Sequence, residues 1–349
     1  MARRIRVVWL SLWFGSLTSN YLRIIEGDDF ECKLITSLNH LDPNRELFCN
    51  SYCIEFSKSR VFRIFELLKV VKEGFKTHPD LLIIDISPRA PILIAQLILA
   101  IRFPVLVTVH DPIPHDDQHR ISGLSGLLSR LLLSRARGAI TFSKYSSQLL
   151  KDDNWLKPVF NLPLLPEVAT DGTEFKTERA NFAMIGRWSY YKGFDIGLEI
   201  WQKFQEFSDS NEILDLWLSG APHLTDLPEK VVVRSTDSFS WGDLMSALPF
   251  YRAVLMPYRS ATQSGVQVLA WSLGVPCLVS SIDGFAQYQL PAFPGISIHN
   301  LDEWVGNLFN LLETDYDIDL GERGKQFLMS EINPQIVKSK FREIVKVCK

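Results

Sequence analysis

Residues 181–207, NFAMIGRWSYYKGFDIGLEIWQKFQEF, place an apolar run, a polar loop and a helix-like pattern one after another. NFAMIG is short, apolar and ends on glycine, as a strand buried on both faces of a parallel sheet does. GFDIGLEIWQKFQEF returns apolar residues every three or four positions, the period of an amphipathic helix. Strand, loop and helix in that order make one βα unit, and a series of such units makes a parallel sheet covered by helices.

The same alternation extends in both directions. Downstream come LDLWLSG, KVVVRS, AVLMPY and PCLVSS, with GVQVLAWSLG as an intervening helix. Upstream come IRVVWLSL, CKLITSL, DLLIIDIS, PVLVTVH, GAITFS and PVFNLPL. Between the two series PEVATDGTEFKTERA, residues 166–180, is polar and rich in turn formers, which suits a linker. At 349 residues the chain exceeds one hydrophobic core. The expectation is α/β: a Rossmann-like domain over 1–165, a second over 181–330, and a closing helix over 331–349 that packs back on the first. Ligands of open parallel sheets collect beyond the carboxyl ends of the strands, which for two facing domains is the cleft between them.

Hydrophobic residues make up 46% and charged residues 22%, with no low-complexity tract, so the whole chain is expected to fold. The five cysteines, at 32, 49, 53, 277 and 348, have neither zinc spacing nor a disulfide framework, and read as reduced thiols of a cytoplasmic protein. MARRIRVVWLSLWFG has the basic and apolar order of a leader but no small-residue cleavage site, and reads as a first buried strand. PILIAQLILAIRFPVLVTV is interrupted by Arg102 and Pro104, too soon to span a bilayer. Net charge is -3, with cations in excess before the linker and carboxylates in excess after it. A basic first half suits an anionic membrane or acceptor, and scattered surface charge accounts for it equally. Nothing points to nucleic acid.

Two loops after strands carry anion-binding chemistry. In IGRWSYYKGF, Arg187 and Lys192 share the loop between Gly186 and Gly193, and a guanidinium fork with an ammonium suits a diphosphate. Two solvated loop cations would read the same way. In MPYRSATQSGVQVLAWSLGVP, Gln263, Ser264, Gly265 and Val266 stand at a helix entrance, where exposed N–H groups suit phosphate or sugar oxygens, as an ordinary cap also would.

Together, in this order, the two segments resemble the glycosyltransferases called group one or family four, with motifs of the form G-R-x(4–6)-K-G and P-S-x-x-E-G-F-G-x-x-x-x-E-A-x-x-x-G-x-P. That resemblance implies the GT-B fold, two facing Rossmann-like domains, and transfer of a sugar with retention from a nucleotide-diphosphate donor, a UDP- or GDP-sugar, without a metal or other cofactor. It implies that Arg187 and Lys192 contact the donor diphosphate and that Gln263, Ser264, Gly265 and Val266 contact donor sugar or phosphate through the backbone. The family's two glutamates fall at Ala261 and Leu269, and the second usually holds the ribose.

In the first half TVHDPIPHDDQH follows a strand. By the resemblance His110 matches a histidine near the reacting sugar; Asp111 lies beside it and His115 is a second candidate, toward the acceptor. His and Asp also build hydrolytic metal sites, but Pro112 and Pro114 fix an extended path and no H-E-x-x-H pair accompanies them, so no metal is expected. Gly15 and Ser16, after the first strand, match a loop facing diphosphate and acceptor; the absence of G-x-G-x-x-G there argues against a dinucleotide dehydrogenase. Asp315-Tyr316-Asp317 and Asp317-Ile318-Asp319 mimic a metal-binding D-x-D but read as a solvated connection.

The expected partners are a nucleotide sugar and a glycan or lipid-linked acceptor in polysaccharide or cell-envelope synthesis. A catalytically silent nucleotide- or sugar-binding protein and a sugar-nucleotide epimerase or hydrolase are the alternatives. Peripheral contact with an anionic membrane is expected through KSRVFRIFELLKVVKEGFK, where Phe62, Phe65, Leu68 and Val71 share a face, and RISGLSGLLSRLLLSRAR; two core helices with basic outer faces are the competing reading.

Overall fold

The computed structural model describes residues 3–27, 29–38, 47–56, 60–87, 89–112, 123–166, 176, 178–313 and 315–348, with 60–64 and 66 described by backbone alone. The chain divides into two compact units, Met1–Val168 with Ile332–Lys349, and Ala169–Glu331.

The first unit runs β1 (Ile5–Leu10), α1 (Gly15–Ile25), β2 (Phe30–Ser37), β3 (Ser51–Ile54), α2 (Arg60–Thr77), β4 (Leu81–Asp85), α3 (Ala90–Arg102), β5 (Val105–Thr108), α4 (Gly123–Arg135), β6 (Gly138–Thr141), α5 (Lys144–Asp152) and β7 (Val159–Asn161). Its strands are parallel in the order β3-β2-β1-β4-β5-β6-β7. β4, β5 and β6 are buried throughout, which is why they read as unbroken apolar runs. β3 is half-exposed at the sheet's edge, and SYCI is not singled out by an apolar-run reading.

The second unit runs β8 (Phe182–Arg187), α6 (Phe194–Phe207), β9 (Leu214–Ser219), β10 (Val231–Ser235), α7 (Trp241–Ala247), β11 (Ala253–Met256), α8 (Gly265–Ser272), β12 (Cys277–Val279), α9 (Asp283–Ala286), α10 (Leu301–Asn310) and α11 (Tyr316–Glu331). Its sheet is parallel in the order β10-β9-β8-β11-β12. Trp201 and Phe204 of α6 pack against Phe182 of β8, so the apolar stripe read from the sequence is the stripe that faces the sheet. Strand order reverses direction between β1 and β4 and again between β8 and β11, the switch points where loops part and ligands enter.

The last helix, α12 (Pro334–Cys348), belongs to the first unit and packs on α1. Its Phe341 meets Phe30 edge-on at 5.3 Å, and Arg342 pairs with Asp29 at 2.8 Å. The pair is half-exposed and contributes little; burying Phe341 contributes roughly 1.5–3 kcal/mol.

Asp317 departs from the sequence expectation. It is not in a solvated connection but in the first turn of α11, with 1% of its surface exposed. Arg252 approaches its carboxyl at 3.4 Å and Arg179 donates to its carbonyl at 3.1 Å. Burial raises the Asp317 pKa while the two guanidiniums oppose that rise. Both cations lie far off in sequence, so local polarity concealed a buried ion pair. The five cysteines are free, and burial pushes the Cys32 and Cys277 thiols well above their usual range, which makes them poor nucleophiles.

Candidate functional site

At the carboxyl end of the second sheet the β8–α6 and β11–α8 loops are locked together. Gly193 has φ 63°, and a Cβ there would lie 2.0 Å from the Pro257 carbonyl oxygen. Only glycine permits that approach. Arg259 then spans the two loops: its backbone N–H donates to Tyr191 O at 2.7 Å, and its guanidinium forks onto Asp195 at 2.8 and 2.6 Å. The same guanidinium lies 4.0 Å from the centroid of the Tyr190 ring and donates to Tyr190 O. The Arg259 hydrogen bonds hold the Asp195 carboxyl below its usual range.

Inside this clamp Lys192 ends a 3-10 turn, Tyr190–Lys192, and donates to the Tyr258 hydroxyl at 2.6 Å. Gly186, φ 141°, makes room for it, because a Cβ would lie 2.9 Å from Lys192 Cε. Tyr258 is buried, which raises its pKa, and its hydroxyl also hydrogen-bonds the Ser264 side chain. A neutral phenol therefore orients the Lys192 ammonium without cancelling its charge. Ser264 caps α8, its Oγ accepting from Gln267 N at 3.4 Å. Lys192 and Ser264, in separate motifs of the sequence, are thus joined through Tyr258. Arg187 stands exposed at the end of β8 on the same loop. Gly265 is exposed, with open space on its Cβ side, and the buried Gln263 Oε1 has no protein partner. Val266 is half-buried in the first turn of α8.

Ala261 and Leu269 are core positions. Leu269 is 2% exposed, and the Ala261 carbonyl sits 2.0 Å from where a Cβ on Gly284 would be. Sequence reasoning missed Tyr258, Arg259 and Asp195; the Tyr-Arg pair that follows β11 and Pro257 was the signal for the first two, and an acid in the first turn of α6 for the third.

At the carboxyl end of the first sheet His110 follows β5, its ring stacked on Phe14 at 3.9 Å and tilted against Phe142 at 4.8 Å. Gly15 and Ser16, expected in a loop, are instead buried in the first turn of α1, and Phe14 immediately precedes them, so this ring contact sets His110 beside the start of that helix. Asp111 is exposed. His115, with Asp116, Asp117 and His119, lies outside the described residues. Beneath this end Asp85 is 3% exposed and accepts from Trp9 Nε1 at 3.1 Å, from Ser11 Oγ and from Thr108 Oγ1. It ties the ends of β1, β4 and β5 together, and the DIS that closes its strand was the signal for it.

A cavity of about 910 Å³ in the second unit opens at the opposite, amino-terminal strand edge. Its Arg252 pairs with Glu212 and Asp317 and its Arg234 with Asp215, so its charges serve the structure.

No family model and no curated relative matches the sequence. Solved structures do match over nearly the whole chain. Sucrose-phosphate synthase from Thermosynechococcus elongatus superposes with a TM-score of 0.68 at 13% identity, covering 98% of each chain. The UDP-forming alpha,alpha-trehalose-phosphate synthase from Burkholderia vietnamiensis gives 0.66 at 10% identity, covering 98% of this chain and 99% of that one. The fold is GT-B. UDP-GlcNAc 2-epimerase from Methanocaldococcus jannaschii, at 0.56 and 12% identity over 93% of this chain and 98% of its own, shares the GT-B path as well. On that path the two loop clusters stand where parallel sheets take ligands, at the carboxyl ends of strands, the second of them at the strands that flank the β8/β11 switch point.

Proposed function

We propose that the protein is a glycosyltransferase that moves a sugar, with retention, from a UDP- or GDP-sugar to a glycan or lipid-linked glycan in polysaccharide or cell-envelope synthesis, without a metal. The observation that carries this reading is the Lys192–Tyr258–Ser264 chain, which sets a fixed ammonium beside the entrance of α8. As the glycosidic bond breaks, negative charge grows on the leaving diphosphate. Cations and helix N–H groups already in place stabilise that charge more in the transition state than in the ground state. Arg187 supplies a second cation, and Gln263 Oε1 an acceptor for a hydroxyl of the donor. His110, held by Phe14 and Phe142, serves the transferred sugar, with Asp111 and His115 toward the acceptor and Gly15 and Ser16 beside them. Calorimetry with UDP and GDP, followed by a donor panel read as sugar joined to an acceptor, tests the proposal. Binding of neither nucleotide would refute it.

The buried apolar Ala261 and Leu269, in place of the glutamates expected from the resemblance, favour a second reading: a silent nucleotide- or sugar-binding protein. Nucleotide binding without consumption of any donor would select it, and donor consumed without acceptor product would select an epimerase or hydrolase.

A further inference from the structure

We propose that the outer face of α2, α3 and α4 docks the protein on an anionic lipid bilayer. The three helices are consecutive crossovers of one sheet, and α3 packs against both neighbours, so they form a continuous layer. Their inner sides are ordinary core: Leu67 and Val70 of α2, Leu93 and Leu99 of α3 and Leu132 of α4 are buried. Their outer sides are also apolar. On α3, Ile94, Ile98 and Ile101 form an i, i+4, i+7 stripe, and Ile101 is 67% exposed. Leu124, Leu127 and Leu131 form an i, i+3, i+7 stripe on α4, and Phe65 and Leu68 lie exposed on α2. Most of the exposed large hydrophobic side chains among the described residues are on these three helices, whereas elsewhere they occur singly. No helix among the described residues is long and apolar enough to cross a membrane, so the face belongs to a surface-lying mode.

Charge selects the occupant. α3 and α4 contain no carboxylate, and on α2 Glu73 is buried against Lys33, which leaves Glu66 as the other acid of the three helices. Lys69, Lys72, Lys76, Arg102 and Arg135 are exposed around the apolar stripes. A second copy docked face to face would set these cations against one another. The aliphatic side chains spread over three helices instead of lining one groove, which suits the headgroup boundary of a bilayer better than a peptide.

The test is co-sedimentation of the full chain with vesicles of phosphatidylcholine alone and of phosphatidylcholine with phosphatidylglycerol. Each cation near an anionic surface is worth roughly a factor of five, so partition onto the anionic vesicles should exceed that onto neutral ones by at least about tenfold and fall with salt. K69E/K72E should remove the anionic preference, and I98E/I101E should remove most binding; all four positions are exposed, and unchanged thermal unfolding confirms that the variants fold. Equal pelleting with both vesicle types, or wild-type binding by I98E/I101E, overturns the proposal. So does a concentration-dependent dimer in sedimentation velocity that I98E/I101E abolishes while vesicle binding is absent, since that gives the face to a second copy. Neither donor nor turnover enters the assay, so its failure leaves the transferase reading untouched.

Discussion

The ligand ends of the two sheets are built on opposite principles. In the second unit two loops are drawn together by charge and backbone: Arg259 on Asp195, Gly193 under Pro257, Lys192 on Tyr258. In the first unit the ends of three strands are gathered from below by the buried Asp85, and a histidine is held above by aromatic stacking. A site held by fixed cations suits a ligand that stays anionic throughout. A stacked imidazole held between aromatic rings suits a neutral, hydroxylated partner. On the proposed reading nucleotide diphosphate belongs to the second unit and sugar chemistry to the first, and each assignment can be broken separately.

The largest effect is expected where the second unit's charge is removed. Each charge-assisted hydrogen bond to a diphosphate is worth roughly 1.5–3 kcal/mol, so R187A/K192A should weaken UDP or GDP binding at least about 100-fold by calorimetry. kcat should fall with affinity, because charge on the leaving group grows toward the transition state. A folded double variant that binds nucleotide like the parent would remove the donor from this loop. In the first unit D85A leaves three buried donors, on Trp9, Ser11 and Thr108, without their acceptor. It should lower folding stability by about 3–5 kcal/mol in denaturant titration of the whole chain. The comparison fails if D85A is as stable as the parent.

How much of this was legible in the sequence follows from the range of each interaction. Helix and strand periodicity is local, so the apolar runs and the stripe of α6 announced the sheets. The two motifs were visible because each is contiguous: Arg187 with Lys192, and Gln263 through Val266. What joins them was not, since Tyr258 reaches Lys192 across 66 residues and Arg259 reaches Asp195 across 64. The partners of Asp85 were hidden for the same reason, lying 23, 74 and 76 residues away. Asp317 was misread because it stands between two exposed aspartates, and only the fold brings Arg252 beside it. The outer stripe of α3 was hidden by its own hydrophobicity: a helix apolar on most sides reads as buried, and only packing shows which side is left over.

A smaller effect is expected from the backbone of the clamp. G193A would set a Cβ against the Pro257 carbonyl and force alanine into a left-handed conformation, with φ near 63°. The cost should be about 2–3 kcal/mol, shared between stability and nucleotide affinity as the two loops separate. The first unit should be indifferent. Amide exchange that rises in both the Tyr190–Lys192 turn and the entrance of α8, but not around His110, would show that the two ends are built independently; a rise at His110 would break that view.

The smallest expected effects concern how the cation is held. Y258F removes a neutral hydroxyl from between Lys192 and Ser264, a loss of about 1 kcal/mol, or roughly fivefold in nucleotide affinity, with little pH dependence because the phenol is neutral throughout. The Asp195–Arg259 clamp behaves differently. Its carboxyl has a folded pKa below the unfolded value, so its contribution is fully present above the unfolded pKa and is lost as pH falls through the lowered one. Asp195 is largely exposed, so solvent screening keeps the energy small. Amide exchange in the Tyr190–Lys192 turn, corrected for its intrinsic pH dependence, should therefore stay constant down to the ordinary aspartate range and rise only below it. D195N should show the faster exchange at every pH. If the parent instead loosened near neutrality, where Asp195 stays charged, the clamp would not be what positions Lys192, and the hydroxyl of Tyr258 would be left as the main support of the ammonium.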